Sequence, residues 1–210
     1  MRSKAGVWWL VASVAAVLPT LAQAELYPPS DAPLGTQLCM TCHGSYGQGS
    51  PVVGGPNLTG MEPWYLKRQL ENFRAEIRGA ERDYVQGSEM RVTAMALSDA
   101  DIEAVMAMVA SWPVVDAEES ITGDLEHGAQ LYQGCATCHG AKAEGNEALG
   151  APALTLRNDW YVLQQLKLFK SGYRGAHPND GYGAQMRAMM ETLANESDMV
   201  DVVAYINSLD

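Results

Sequence analysis

The 210-residue chain is poor in several things at once. It has four cysteines, four histidines, two phenylalanines and only 14 Lys and Arg against 25 Asp and Glu. Beyond its first two dozen residues, no segment approaches the roughly 20 consecutive apolar residues that a spanning helix needs. The shortage of bases argues against nucleic acid, whose phosphates demand Lys/Arg patches. No stretch alternates apolar and polar residues at period two for long, so helices rather than sheets are expected. The predicted fold is all-α.

The one long apolar run comes at the start. Arg2 and Lys4 precede Ala5 to Leu18, followed by Pro19 and the small-residue site Ala22-Gln23-Ala24. That is the order of a secretory signal peptide over residues 1–24, cleaved after Ala24. Its removal leaves 12 basic and 25 acidic residues, a formal charge of 12 − 25 = −13. Such a surface suits a redox partner with a basic docking face, because complementary charge raises the encounter rate. Export places the mature chain in the periplasm, with peripheral membrane association open and no small-molecule substrate expected.

The four cysteines fall in two five-residue stretches, Cys39-Met40-Thr41-Cys42-His43 and Cys135-Ala136-Thr137-Cys138-His139. C-x-x-C-H is the pattern for covalent attachment of a c-type haem. Two thiols three positions apart can both add to the vinyl groups along one porphyrin edge, and the adjacent histidine is carried beneath the ring toward the iron. A shuffled chain of this composition gives the pattern on the order of once per 10^5 positions, and here it occurs twice. One zinc shared by both pairs is disfavoured, since zinc ribbons space their pairs roughly 15–20 residues apart. A thioredoxin-like dithiol would not need a histidine after each pair, and the chain lacks an evident βαβ frame. Two covalent haem c groups are therefore expected, on Cys39, Cys42, Cys135 and Cys138.

Adding 96 to a position in the first half gives its counterpart in the second, without a gap from Cys39 to Leu97. Gly49/Gly145, Pro56/Pro152, Trp64/Trp160, Tyr65/Tyr161, Gln69/Gln165, Arg78/Arg174, Gly79/Gly175 and Gly87/Gly183 are identical pairs. Two units of 25–113 and 123–210 follow, with an acidic linker at 114–122 directly after Pro113. Asp124 is placed to cap a helix running into the second motif, and Pro33 and Gly35 weaken its counterpart. Gly/Pro-rich loops follow each motif. Then come apolar stripes at Leu66, Leu70, Phe73 and Ile77 and at Val162, Leu166 and Phe169. Closing helices begin at Ser98 and Asn195, each with an acid three residues later. Their buried faces are Ile102, Val105, Met106 and Val109, and Met199, Val202, Val203 and Ile206.

The repeat also sorts the methionines. From Met40 onward only Met90 has a methionine 96 residues later, Met186, and each stands 47 residues after its histidine, in a stretch read as loop. His43 with Met90 and His139 with Met186 are the expected axial pairs. A soft thioether favours ferrous iron and fills the coordination sphere. His177, opposite Glu81 in the repeat, is the rival in the second half. Trp64, Tyr65, Arg78, Trp160, Tyr161 and Arg174 are candidates to bond haem propionates, with helix packing or surface carboxylates as their ordinary alternatives.

With both motifs, the repeated Pro-x-Leu, the W-Y-x-x-x-Q-L-x-x-F helix, the Arg-Gly turn and the Met segments together, the chain resembles the two-haem bacterial cytochrome c4 family over nearly all of residues 30–210. The resemblance implies two tandem class I cytochrome c domains packed face to face with their haem edges near the interface. It also implies that Pro56 and Pro152 offer carbonyls to the ring N–H of the proximal histidines. By the same resemblance the function is electron transport between respiratory or dehydrogenase partners (a terminal oxidase, a cytochrome bc1-type complex or a dehydrogenase), without a reaction of its own. Related two-haem chains serve as subunits of flavocytochrome c sulfide dehydrogenases or oxidase complexes. A dihaem peroxidase or sulfur oxidoreductase would need one labile iron.

Overall fold

A computed structural model describes residues 34–209. The signal peptide and Pro33 lie outside those residues. Helices α1 (Leu34–His43), α2 (Pro63–Arg74), α3 (Val85–Met95) and α4 (Asp99–Ser111) form the first half. Helices α5 (Leu125–His139), α6 (Asp159–Ser171), α7 (Gly181–Met189) and α8 (Glu196–Asn207) form the second, with short 3-10 turns at Glu147–Leu149 and Met190–Thr192. Among the described residues there is no strand. The ladder pairing among them is one isolated bridge per half, Ser50 with Gly55 and Asn146 with Ala151. No described helix is long and apolar enough to cross a membrane.

The caps stand where the sequence places them. Ser98 and Asp101 form a reciprocal capping box at the start of α4. Asn195 accepts from the Asp198 N–H at α8, and Asp124 from the His127 N–H at α5. Each satisfies N–H groups that the first turn leaves without intrahelical partners. The α2 stripe is shorter than expected: Leu66, Leu70 and Phe73 are buried, but the helix stops at Arg74. Glu76 turns to a positive φ of 58°, and the N–H groups of Ile77 and Arg78 both close onto Asn72 O, so Ile77 lies past the end.

Repetition extends to the backbone. Gly49 N to His43 O and Gly145 N to His139 O are both 2.8 Å, and Gly44 N to Met40 O and Gly140 N to Ala136 O are both 3.0 Å. In α8 the register moves by one residue: Met199, Val202 and Ile206 match Ile102, Val105 and Val109 at an offset of 97. The additional residue is Ala194, between Leu193 and the cap Asn195, and its N–H is taken up by Asp198 Oδ2 at 2.7 Å.

Each half has its own core. The first gathers Leu58, Leu66, Leu70, Ile102, Val105 and Val109. The second is larger, adding Tyr132 of α5 to Val162, Leu166, Phe169, Met190, Met199, Val202, Val203 and Ile206. Helix α5 spans 15 residues, and α1 is described over Leu34–His43. Helix α5 crosses α8 closely at Gly128, where a Cβ would lie 2.1 Å from Asp201 O. The segment between α4 and α5 is mostly exposed yet tied down. Val115 N donates to Thr59 Oγ1 at 3.0 Å, and the N–H groups of Ser120 and Ile121 donate to the Asp159 carboxylate.

The α5–α8 crossing carries a titratable pair, with His127 Nδ1 2.9 Å from Asp201 Oδ2. The hydrogen bond to Asp201 raises the His127 pKa above 6.5, and the bond to His127 lowers that of Asp201 below 3.8. The histidine's contribution is complete below pH 6.5 and is lost as pH rises through its raised value. The aspartate's is present above 3.8 and lost as pH falls through its depressed value. Thermal melts of the haem-loaded protein should therefore show the midpoint declining as pH rises above 6.5, and His127→Gln should flatten that decline.

Candidate functional site

Both motifs occupy the last turns of a helix, so each histidine is delivered at the helix end with its thiols one turn behind. His43 and His139 are buried at 6% and 4% exposure, and all four cysteines are free of disulfides. Cys42 is exposed, while burial raises the thiol pKa of Cys39 and Cys135. Among the described residues no group of three or more His, Cys, Asp and Glu could hold a bare metal ion, so the two pairs do not converge on a shared zinc.

The ring orientation of both histidines is fixed alike. Nδ1 of His43 donates to Pro56 O at 2.8 Å and Nδ1 of His139 to Pro152 O at 2.7 Å. With the proton held at Nδ1, the lone pair at Nε2 faces inward. Burial lowers both imidazole pKa values, outweighing the opposing effect of the proline carbonyls, and so favours the neutral form that can bind a metal.

Met90 and Met186 are not in loops. Met90 sits within α3 and Met186 within α7. The glycines that suggested loops are instead where two backbones meet. Gly79 and Gly175 each adopt φ +78°, and a Cβ there would lie 2.2 Å from the carbonyl oxygen of Gly87 and Gly183 respectively. The Arg-Gly turn is thereby pressed against the first turn of each methionine helix. Met186 Sδ then faces His139 Nε2 at 3.5 Å, and Met90, like Cys39, packs on the first core. His177 is engaged locally: its Nδ1 accepts from Asn179 N and its carbonyl from Asp180 N.

His139 and Met186 line one cavity of about 140 Å³. Cys135, Cys138 and Pro152 line its proximal side, and Val162, Leu166, Phe169, Met190, Val202 and Ile206 give it apolar walls. These residues fit a porphyrin. The His139 nitrogen and the Met186 sulfur, 3.5 Å apart, are the donor pair that would hold its iron. The walls suit the flat apolar macrocycle, and the thiols lie behind the histidine that would meet its iron.

The largest surprise is at the boundary of the two halves. Arg78 and Arg174 are buried, and each crosses over. Arg78 donates to Gln69 Oε1 in its own half and to Tyr161 OH and Gln165 Oε1 in the other, at 2.7, 3.1 and 2.9 Å. Arg174 donates to Gln165 Oε1 in its own half and to Tyr65 OH and Gln69 Oε1 in the other, each at 2.9 Å. Each guanidinium also lies over a phenylalanine ring, Phe73 or Phe169, at 4.4 and 4.5 Å. Burial alone would raise the Tyr65 pKa, but Arg174 and Arg78 outweigh it and bring it below the ordinary tyrosine value. Neither arginine forms an ion pair among the described residues, a costly arrangement that carboxylate groups at this boundary would relieve. Haem propionates have that charge.

Trp64 and Trp160 instead pack edge-on against Tyr65 and Tyr161, at 5.7 and 6.0 Å. Residues not singled out in the sequence also reach across. Arg68 donates to Gly150 O at 2.7 Å and stacks over Tyr182 at 4.5 Å, Glu62 Oε1 accepts from Ala153 N, and Asn57 pairs with Asn158. Gln69 and Gln165 stood in the repeat as identical polar residues within an apolar stripe, which was the available clue.

Two buried histidine–thiol sites on one repeated helical frame define a two-haem protein of the c type. The cytochrome c family model matches residues 34–112 and 125–210. A curated relative, the "Thiosulfate dehydrogenase electron acceptor" of Stutzerimonas stutzeri, is 32% identical over 201 residues, covering 88% of this chain and 89% of its own. The cytochrome c4 structure from Acidithiobacillus ferrooxidans superposes with a TM-score of 0.64 at 27% identity, over 82% of this chain and 99% of that one. A thiosulfate dehydrogenase (TsdBA) from Marichromatium purpuratum does so at 0.63 and 30% identity, over 80% of this chain but 35% of its own. The chain belongs to the cytochrome c family, as a two-haem member of the cytochrome c4 type with haem c bound covalently at both motifs, and it is an electron-transfer protein.

Gly175→Ala would meet both the positive φ and the Gly183 carbonyl, at a cost of about 2 kcal/mol or more. Chemical denaturation of the haem-loaded protein should show that loss, with the second haem's spectrum perturbed and the first unchanged.

Proposed function

We propose that this is a periplasmic electron carrier whose irons are held by His43 with Met90 and His139 with Met186, exchanging electrons between a dehydrogenase and a respiratory oxidase or bc1-type complex. The observation that carries the reading is the His139–Met186 pair: a buried imidazole, its proton fixed on a proline carbonyl, meeting a thioether sulfur at 3.5 Å, with both residues lining one apolar cavity. Bound haem supplies a one-electron ferric–ferrous couple. The protein's residues do the remainder. Cysteine pairs tether the porphyrin edge, proline carbonyls orient and enrich the histidines, and helix-borne methionines close the opposite face. With both faces closed no position remains for a substrate, which separates a carrier from a peroxidase or sulfur oxidoreductase.

Arg78 and Arg174, with Tyr65 and Tyr161, are in this reading the propionate partners, while Trp64 and Trp160 support the tyrosines by packing. The domains are 25–113 and 123–210, joined by 114–122, after a cleaved leader. The relative named for accepting electrons from thiosulfate dehydrogenase favours a dehydrogenase of that class as donor. The acidic surface suits a basic docking face. The likeness to the longer TsdBA chain favours a second reading, a permanent haem subunit of such an enzyme. Sedimentation of the native protein as a lone, stable monomer would dismiss it.

Met90→Ala and Met186→Ala should each open one iron. The reduced variant should then bind carbon monoxide at one haem where the parent binds none, that haem's potential should fall, and the iron–sulfur charge-transfer absorbance should drop by about half. Unchanged absorbance in both variants would overturn the ligand assignment, and ready carbon monoxide binding by the parent would favour an enzyme.

A further inference from the structure

The Pro152 carbonyl that accepts from His139 belongs to the same peptide unit as the Ala153 N–H, and that N–H donates to Glu62 Oε1 at 2.6 Å. The construction recurs at the first site. Pro56 O accepts from His43, and the N–H of that same peptide, on Asn57, donates to Asn158 Oδ1 at 2.6 Å. Glu62 and Asn158 are counterparts at offset 96. Both are N-cap residues, of α2 and α6, whose side chains make no cap bond. A glutamate or asparagine there would ordinarily serve its own helix's free N–H groups. Each instead reaches across the domain boundary to the other half's proline peptide. They differ in one respect: one is a carboxylate and the other a neutral amide. The remaining oxygen of Glu62 is buried without a hydrogen-bond partner, so few other donors dilute its charge.

We propose that Glu62 and Asn158 each set the donor strength of the opposite domain's axial histidine through a single peptide unit, and that the carboxylate makes the second haem easier to oxidise than a neutral acceptor would. The inference rests on His43 and His139 being axial ligands. A carboxylate accepting from the N–H shifts amide electron density toward the carbonyl oxygen. Linked hydrogen bonds polarise one another by about 10–30% per bond. Pro152 O becomes the better acceptor, the His139 ring gains imidazolate character, and Nε2 donates more strongly. A stronger donor favours the ferric state. Asn158 does the same for His43 with a weaker, uncharged acceptor. Arg68 also lines the second cavity and acts in the opposite sense, but it is common to every variant below.

Glu62→Gln keeps an acceptor oxygen and removes the charge, and Asn158→Asp adds a charge at the other site. In redox titrations of the haem-loaded protein, Glu62→Gln should raise the second haem's ferrous-to-ferric ratio at a fixed potential about threefold, ~28 mV at 59 mV per tenfold for one electron. The His139 Nδ1–H resonance of the diamagnetic ferrous protein should move upfield, and that of His43 should stay. Asn158→Asp should lower the first haem's ratio and move the His43 resonance downfield. A shift in potential with an unmoved Nδ1–H would reduce Glu62 to a through-space charge and overturn the relay, as would no shift at all. If His139 ring protons in the parent lack the ring-current displacement of a haem ligand, the axial assignment falls, and the relay with it.

Discussion

Two buried guanidinium groups govern how the halves of this protein fit together. Burying a cation costs several kcal/mol unless it is paired and hydrogen-bonded. Arg78 and Arg174 recover part of that cost only by crossing over, since each takes acceptors from both halves. Separation would strip each arginine of the partner tyrosine and of one glutamine oxygen. The boundary is thus a shared polar network in which each domain completes the other's hydrogen bonds, and such networks stabilise only when nearly all members are satisfied. Propionates of the two haems, arriving at the same place, would provide the negative charge it lacks.

That closure has a consequence for everything built on the repeat. Because the halves are held in one register, a residue at the start of α2 or α6 lies beside the opposite proline peptide and not over its own helix end. Pseudo-symmetry makes the two contacts equivalent, and substitution at one position makes them unequal. Glu62 opposite Asn158, and Arg68 opposite Gln164, are places where a duplicated unit has differentiated without changing its fold. The same holds for Ala194, which lengthens a turn by one residue and leaves the α8 face intact.

Much of this was legible in the sequence, for identifiable reasons. Covalent and axial haem chemistry needs fixed spacings, so the motifs, the repeat and the single matched methionine pair stood out. Caps and apolar stripes are local and were read correctly at Ser98, Asp124 and Asn195. The methionine segments were misread as loops because Gly87 and Gly183 look like breakers, whereas both lie inside helices, and a Cβ there would strike the Tyr84 ring and the Asp180 carboxylate respectively. The arginines were singled out, but their crossing left only the paired Gln69 and Gln165 as a clue. The crossing partners lie 83 to 109 residues away, and no pattern within one half signals that a polar side chain will be satisfied by the other.

The helical setting of the methionines bears on why such a site suits electron transfer. A thioether on a loop can swing away when the iron changes charge. Met186 rides on a helix whose first turn is pressed, backbone against backbone, on the Arg174-Gly175 turn, and Arg174 is itself locked into the domain boundary. On the other face, the His139 ring is fixed by a carbonyl whose own peptide is held from the opposite domain. With His139 and Met186 as the proposed iron ligands, a coordination sphere clamped from both sides by rigid elements would change little between oxidation states, so less of the driving force would go into rearrangement. The polar network joining the halves and the geometry at the iron are in this sense one structure: loosening the first would soften the second.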